Sequence, residues 1–385
     1  MRLSDDVATF RDTIAARAFD RIGPYVDGLD REQKFVPEVW DELRAMELFG
    51  LPFPSHVGGL DGTFTAFIAA TEAVAVTCAS AALYPGTTVQ IAGAILAHGT
   101  PDQVARWVPG LVSGKAPAAW AFTEPQTGSD PRQLETVAMP DGDGWRLRGQ
   151  KLFISFARQA AVAMVFARTS ETRVGAFLVD TTSDGWSTGT PFELMAFGGG
   201  EPAPVFLDDV FVSGDCVIGS PDDGFDVMLA GEANGKIRAA AICVGIAQRA
   251  IDEAAKFALG RTHRGQPIAE KFATIQTLIG DMEASTLAAR SLVYDVAHDI
   301  DAGDKNSARQ AAAARVVAGR AAREVTSSAM QICGAYGLTR EMPLERLYRE
   351  GKFFDVAQGS AEIQRTIIAR HVINDHRHST HGTQS

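Results

Sequence analysis

The sequence predicts an α+β protein in three parts. A helical N-terminal domain (1–115) is followed by a middle antiparallel β-domain (116–222), a C-terminal four-helix bundle (223–375) and a polar tail (376–385). Three observations predict this order. Apolar residues recur at helical spacing up to about residue 115. Short β-rich runs broken by turn signals then replace them. Past Phe225 the helical pattern returns in long segments that carry an Ala-rich seam.

In the first part, Pro37 suits the first turn of a helix carrying Val39, Trp40, Leu43, Met46 and Leu48, which Gly50 ends before Pro52. Phe64, Phe67, Ile68, Thr71 and Val74 continue at the same spacing. Thr100 is a good N-cap and Pro101 a good first residue for a helix through Val104, Trp107 and Val108. The aromatics here are expected in the core.

In the middle part, runs at 145–147, 161–167, 175–179, 205–207 and 210–212 read as strands. Asp143-Gly144 marks a hairpin between 137–139 and 145–147. Strands this short, without alternating helices, predict an antiparallel barrel or sandwich. No GxGxxG follows a strand, and Gly198-Gly199-Gly200 runs into Glu201-Pro202 instead of a helix, which argues against a Rossmann unit. In the last part, 225–259, 267–301, 305–334 and 361–372 carry apolar residues three and four apart. The seam at 308–322 lets helices approach closely, as in a bundle.

Composition narrows the function. With 46% hydrophobic and 22% charged residues among 385, the chain has a globular composition and ample core. The net charge is −11 and no run of five basic residues occurs, so no nucleic-acid footprint is expected. Cys78, Cys216, Cys243 and Cys333 are scattered without metal-ligand spacing and read as buried thiols in a reducing compartment. The first residues hold no apolar signal segment, and no apolar run approaches the roughly 20 residues of a membrane span. A soluble, cytoplasmic protein is expected. His376, His378 and His381 fall in the polar tail and are read as a frayed terminus, so no metal is assigned.

The chain is organised around residues 121–130, AFTEPQTGSD, directly after the small apolar run 116–121. That order reads as a strand that ends, turns at Pro125 and uses Gly128 for a close backbone approach. Its hydroxyls and freed N–H groups suit a ring edge or a phosphate, although the same residue types also build ordinary polar turns. A second stretch, GQKLFIS at 149–155, follows about one hairpin later.

These stretches resemble two signatures of the flavin-dependent acyl-CoA dehydrogenases, xxTEPxxGSD and G-x-K-x-[WF]-I-[ST]. The resemblance continues through 234–250 (NGKIRAAAICVGIAQRA), 331–337 (QICGAYG) and 343–370, in the family's order. It implies FAD as cofactor, held between a β-domain and a C-terminal bundle and completed by a neighbouring subunit. Phe122 and Thr123 would lie along the flavin ring, Phe153 would stack on it, and the Ser155 hydroxyl would reach its reactive edge. Ser129 would meet the pyrophosphate or the pantetheine of the substrate, and Lys236 stands where relatives carry an Arg near CoA. Arg261 would contact the FAD pyrophosphate across a dimer, Gln331 and Gly334 the adenosine end, and Ser360, Ala361 and Glu362 the turn beneath. Around them Arg264, Ala335 and Ala273 depart from the family pattern.

The largest departure is at the base. The family removes an α-proton with a Glu in a [YA]-E-G-[TS] turn, or less often with one on a helix of the last domain. Here these positions hold Gln358 and Gly235. An amide cannot take the proton, and general-base catalysis contributes roughly 10²–10⁴ in rate. Three readings follow from the resemblance. The base has moved, with Glu232, three residues before Gly235, as candidate beside the alternative of a solvated helix-start carboxylate. Or the chain runs another flavin reaction. Or it is the non-catalytic subunit of a heteromer. The implied partners are an acyl-CoA or acyl-carrier thioester, an electron-transfer flavoprotein or other acceptor, and further subunits in a homodimer, homotetramer or heteromer. Neither nucleic acid nor membrane insertion is expected.

Overall fold

The computed structural model describes residues 3–130, 133–304 and 307–381. Its helices are α1 (Asp5–Arg21), α2 (Val26–Arg31), α3 (Pro37–Ala45), α4 (Phe64–Thr77), α5 (Ala79–His98), α6 (Pro101–Val112), α7 (Gly224–Gly260), α8 (Ile268–Lys271), α9 (Ala273–Asp301), α10 (Ser307–Cys333), α11 (Leu344–Phe353) and α12 (Ala361–His381). The strands are β1 (Ala118–Ala121), β2 (Val137–Asp141), β3 (Gly144–Ile154), β4 (Val162–Arg168), β5 (Val174–Asp180), β6 (Trp186–Thr188), β7 (Ala203–Ser213), β8 (Val217–Ile218), β9 (Thr262–His263) and β10 (Gln266–Pro267). The chain forms two compact units. One comprises Phe19–Phe67 and Ser80–Gly235, and the other the remaining described residues.

The first unit joins helices to the sheet. Thr100 caps α6 as expected, in a reciprocal pair: its Oγ1 accepts from Gln103 N at 3.2 Å, and Gln103 Oε1 accepts from Thr100 N at 2.8 Å. The other end of the Gln103 amide donates to Asp215 O and Val217 O, at 2.8 and 2.7 Å, tying α6 to the strand region. Tyr84 of α5 donates to Gly199 O at 2.9 Å, and Trp40 of α3 donates from Nε1 to Gly114 O at 2.8 Å. Helix α3 ends at Ala45, earlier than Gly50, because Glu47 takes φ +61 and turns the chain out of the helix.

The sheet runs β6-β7-β3-β2-β4-β5-β8, with β1 added on β4. It is mixed, which corrects the antiparallel expectation: β1 lies parallel to β4 along Ala118–Ala121, and β2 meets β4 in parallel at Val137. Short strands carry little signal for direction, and the long excursion between β1 and β4 permits the parallel pairing. The β2–β3 hairpin pairs Asp141 with Gly144, so its turn is Gly142-Asp143, one residue ahead of the Asp143-Gly144 signal. The runs at 205–207 and 210–212 belong to one strand, β7, with Asp209 at φ +61 between them.

The second unit is helical. Met282, Thr286, Ala289, Val293 and Ala297 of α9 are buried at three- and four-residue spacing, as are Ala311, Ala314, Ala318, Ala322, Val325 and Ala329 of α10. Helices α9, α11 and α12 pack on α10. A polar cluster ties α4, α7 and α9 together: Glu72 accepts from Arg290 Nε at 2.9 Å and from Tyr294 OH at 2.8 Å, while Arg290 Nη2 donates to Gln248 Oε1 at 2.7 Å. Burial, with the adjacent carboxylate, drives the Tyr294 hydroxyl far above its ordinary pKa. The expected helix at 267–301 is broken, since Phe272 is extended and separates α8 from α9. Helix α11 was not foreseen from periodicity.

All four cysteines are buried, and none is in a disulfide. No described helix is long and apolar enough to cross a membrane, and no group of His, Cys, Asp or Glu among the described residues is placed to hold a metal. His376 is exposed on α12, and the side chains of His378 and His381 lie outside the described ones.

Candidate flavin and thioester site

The turn after β1 closes as its sequence suggests. Glu124 and Thr127 exchange backbone hydrogen bonds of 2.8 and 3.2 Å around Pro125 and Gln126, and Thr127 Oγ1 donates to Asp130 O at 2.6 Å. Gly128 is not required by a close protein neighbour: a Cβ there would meet only Thr123 Cγ2, at 3.7 Å. Ser129 is exposed at the end of this turn.

Lys151 joins this turn to the second signature. Its ammonium is fully buried and donates to Glu124 Oε1 at 2.7 Å, Phe166 O at 2.6 Å and Phe122 O at 3.2 Å. Glu124 also accepts from Glu135 N and Thr136 N. Burial pulls the Lys151 pKa down against the attraction of Glu124. Burial also opposes the Glu124 charge, but Lys151 and the two backbone donors overcome it and hold the carboxyl below its ordinary range. Sequence reasoning singled out neither residue. The visible signal was a pair of opposite charges, Glu124 in one signature and Lys151 in the other.

Residues 152–153 form a β-bulge. Against β7, Lys151 pairs with Val205 and Ile154 with Ala203, so three steps on β3 oppose two on its partner. Phe153 takes φ +57, which is costly for an aromatic residue. Without the bulge Phe153 would share the inward face of Lys151; with it the residue is 52% exposed, with the Phe192 ring at 4.5 Å. Phe122 and Trp120, two residues apart on one face of β1 and its extension, both pack on Phe166, at 5.9 and 4.9 Å. Leu152 N donates to Thr123 O at 2.8 Å, so the two signatures are also hydrogen-bonded to each other. Ser155 is half-buried beside Gly200. An outward aromatic face among hydroxyls and backbone groups suits a flavin ring, so these residues fit FAD.

In the second unit, Gln358 sits at φ +55 and Gly359 at φ +77, a pair of left-handed residues. Gln358 Oε1 is buried without a hydrogen-bond partner among the described residues. The turn before it is pinned by Arg315, which is only 1% exposed and donates from Nη2 to Phe354 O and to Ala357 O. Asp355 accepts from Arg323 at 2.8 Å and from Lys352 at 3.0 Å, and its own carbonyl accepts from Ala361 N. Arg315 was missed: it is one of three Arg in the alanine seam, and of these Arg309 and Arg320 are exposed. Ser360 precedes α12, whose Ile363 N lies 3.4 Å from Ser360 Oγ, and exposed Glu362 pairs with Arg365 at 3.1 Å.

The remaining candidates are scattered over the same unit. Arg261 is exposed before the β9–β10 hairpin, whose turn is Arg264 (φ +52) and Gly265 (φ +82), a type I′ geometry. Gln331 is exposed at the end of α10, where Gly334 at φ +59 ends the helix. Lys236 is buried in α7. In the first unit, Glu232 lies two turns inside α7 and is half-buried, so it is not the helix-start charge considered above.

Three family models match in order: the acyl-CoA dehydrogenase N-terminal domain over residues 4–115, the middle domain over 119–210 and the C-terminal domain over 222–373. The 3-(aryl)acrylate reductase of Clostridium sporogenes is 31% identical over 361 residues, 92% of this chain and 95% of that protein. The caffeyl-CoA reductase-Etf complex subunit CarC of Acetobacterium woodii is 31% identical over 89% of this chain and 92% of its own. The structure of butyryl-CoA dehydrogenase from Megasphaera elsdenii superposes with a TM-score of 0.93 at 28% identity, covering 97% of this chain and 99% of that one. The chain belongs to the acyl-CoA dehydrogenase family of FAD-dependent oxidoreductases.

Proposed function

We propose that this chain is an oxidoreductase of acyl thioesters in which an amide, Gln358, stands at the position of the usual base. The observation that carries the reading is Gln358 itself. It is held in a left-handed conformation, its Oε1 is buried without a partner among the described residues, and the preceding turn is fixed by a buried guanidinium. Folded chains keep strained, unsatisfied polar groups mainly where a ligand uses them.

FAD, when bound, supplies the two-electron chemistry, taking a hydride from carbon or giving one back. Phe153 offers its ring face for stacking, with Phe122, Thr123 and Ser155 as the further candidates along the ring. Ser129 is free to meet a phosphate or pantetheine group. Arg261, Gln331, Gly334, Ser360 and Glu362 are the candidates for the pyrophosphate and adenosine end, and Lys236 for the CoA region. Gln358 can donate from Nε2 to a thioester carbonyl or accept at Oε1, but it cannot remove an α-proton. Proton transfer at the α-carbon then falls to another group, for which Glu232 is a candidate from the sequence.

A second reading is favoured by the relatives. Two similar chains are named as reductases, one of them in an Etf complex. Reduction of an α,β-unsaturated thioester adds a hydride from the flavin at the β-carbon and a proton at the α-carbon; the Gln358 amide cannot supply that proton, so it would come from solvent or another acid. A neutral Gln358 also suits a subunit that shares its site within a heteromer, and exposed Arg261 suits a contact across a dimer. The test is native purification, identification of the released flavin by mass, and anaerobic titration of oxidised protein with acyl-CoAs and of reduced protein with enoyl-CoAs. Bleaching by the former supports the dehydrogenase direction, and reoxidation by the latter the reductase. FMN, absence of flavin under every expression condition, or a bound flavin indifferent to all thioesters would overturn the proposal.

A further inference from the structure

The two left-handed residues of the Gln358 turn are held by side chains from two helices. Arg315 of α10 donates from Nη2 to Ala357 O at 3.1 Å and to Phe354 O. Gln364 of α12 donates from Nε2 to Gly359 O at 3.3 Å. Ala357 O belongs to the peptide that enters Gln358, and Gly359 O to the peptide that leaves Gly359. Gln358 and Gly359, at φ +55 and +77, are therefore tied down at both ends. Arg315 and Gln364 are each 1% exposed, so both ties lie out of solvent.

Each tie is built into its surroundings. A Cβ at Gly319, one turn along α10 from Arg315, would lie 2.9 Å from Arg315 Nη1, so the glycine leaves room for the guanidinium. The Phe354 ring covers it, with the ring centroid 5.2 Å from Arg315 Cζ. A Cβ at Gly359 would come within 2.5 Å of Gln364 Nε2, so that amide packs directly on the backbone of the turn.

Packing alone would not choose this arrangement. The Arg315 hydrogen bonds run to backbone carbonyls and not to a carboxylate, and its Nε is buried without a partner among the described residues, as is Gln364 Oε1. Burying a charge and an amide on these terms costs more in lost hydration than an apolar side chain would. Gln358 is itself in a conformation that a residue other than glycine keeps only where its surroundings over-determine it. We propose that Arg315 and Gln364 are positioning residues for the thioester reaction, holding the backbone around Gln358 so that its amide meets the thioester in one fixed orientation. This rests on the functional reading above and adds to it two residues that act through Gln358. A shift of about 1 Å at a reacting centre can cost about a hundredfold in rate, so the ties matter to chemistry more than to binding.

The test uses the FAD-loaded protein as wild type, Arg315→Met, Arg315→Lys and Gln364→Leu, with Arg309→Met at an exposed position of α10 as control. Anaerobic stopped-flow follows flavin bleaching by butyryl-CoA and reoxidation of the reduced protein by crotonyl-CoA. The concentration dependence gives a limiting rate and a half-saturation concentration, and hydrogen exchange across 354–364 is measured without thioester. In Arg315→Met and Gln364→Leu the limiting rate is expected to fall roughly tenfold or more while half-saturation moves by less than about twofold. Exchange in the turn should quicken in the same two variants. Arg315→Lys, which keeps a donor and a charge, should recover most of the rate, and Arg309→Met should match the wild type. Gln364→Leu nearly keeps the shape of the side chain and decides the matter if Arg315→Met folds poorly. Unchanged limiting rates in both variants, or rate and half-saturation lost together without recovery in Arg315→Lys, would overturn the inference and leave the thioester reading intact. A wild type that retains its flavin and reacts with neither thioester would overturn that reading and the inference with it.

Discussion

Lys151 and Glu124 form an ion pair of 2.7 Å with both side chains withdrawn from solvent, and they bind the two flavin signatures to each other. Removing one partner leaves a buried charge uncompensated. Lys151→Met is therefore expected to cost about 3–5 kcal/mol in denaturant unfolding and to lower flavin retention. The double variant Lys151→Met with Glu124→Gln should recover most of the stability, because no lone charge remains. A single variant as stable as the wild type would contradict the clamp.

The same pair gives a pH dependence whose sign follows from Glu124. Its folded pKa is depressed, so its contribution is complete above the unfolded carboxyl range and is lost as pH falls through the folded value. Unfolding free energy measured from neutral pH down to the acid limit should fall steeply below the ordinary carboxylate range. Glu124→Gln should be less stable at neutral pH and show a shallower acid limb. Parallel limbs in the two proteins would assign the acid sensitivity to other groups.

Gln358→Glu replaces an amide by a carboxylate at nearly constant volume and at the same left-handed φ, so stability should change little. In a poorly solvated pocket the new carboxyl would be driven up toward the range a base needs. Acyl-CoA-dependent bleaching of the flavin should rise at least tenfold, within the roughly 10²–10⁴ that general-base catalysis supplies. Stopped-flow spectroscopy under anaerobic conditions reads this directly. A wild type that already reduces fast, and loses the reaction in Glu232→Gln, would instead assign the base to Glu232.

Phe153 is turned outward by the bulge and is more than half exposed, so Phe153→Ala should alter the unfolding free energy of the flavin-free protein by no more than about 1 kcal/mol. Flavin binding should weaken several-fold, the scale of one aromatic stacking contact. A large loss of stability without flavin would mark Phe153 as structural instead.

Helix α6, the β2–β3 hairpin and the long helices of the second unit were legible because their signals are local: a cap, a turn pair, a three-four periodicity. The parallel pairing of β1 with β4 was not, since Ala118 and Val162 meet only through tertiary structure. The same holds at the site. Phe122, Thr123, Phe153 and Ser155 were found as parts of signatures, and the structure gathers their segments. The bulge that turns Phe153 outward depends on the register of β7, and no spacing rule shows it. Arg315 was missed because nothing in the sequence separates it from Arg309 and Arg320 in the same alanine seam, and the fold alone decides which of the three is buried.

The four buried thiols have a practical consequence. Burial pushes Cys216 and Cys333 up to about 11 and Cys243 up to about 12, and a thiol of that kind reacts slowly with maleimides and similar reagents at neutral pH. A cysteine introduced at the exposed Arg264 of the β9–β10 turn would thus take a fluorophore or spin label almost alone in the folded protein. Native cysteines need not be removed beforehand, and labelling that climbs toward five groups per chain would itself report unfolding.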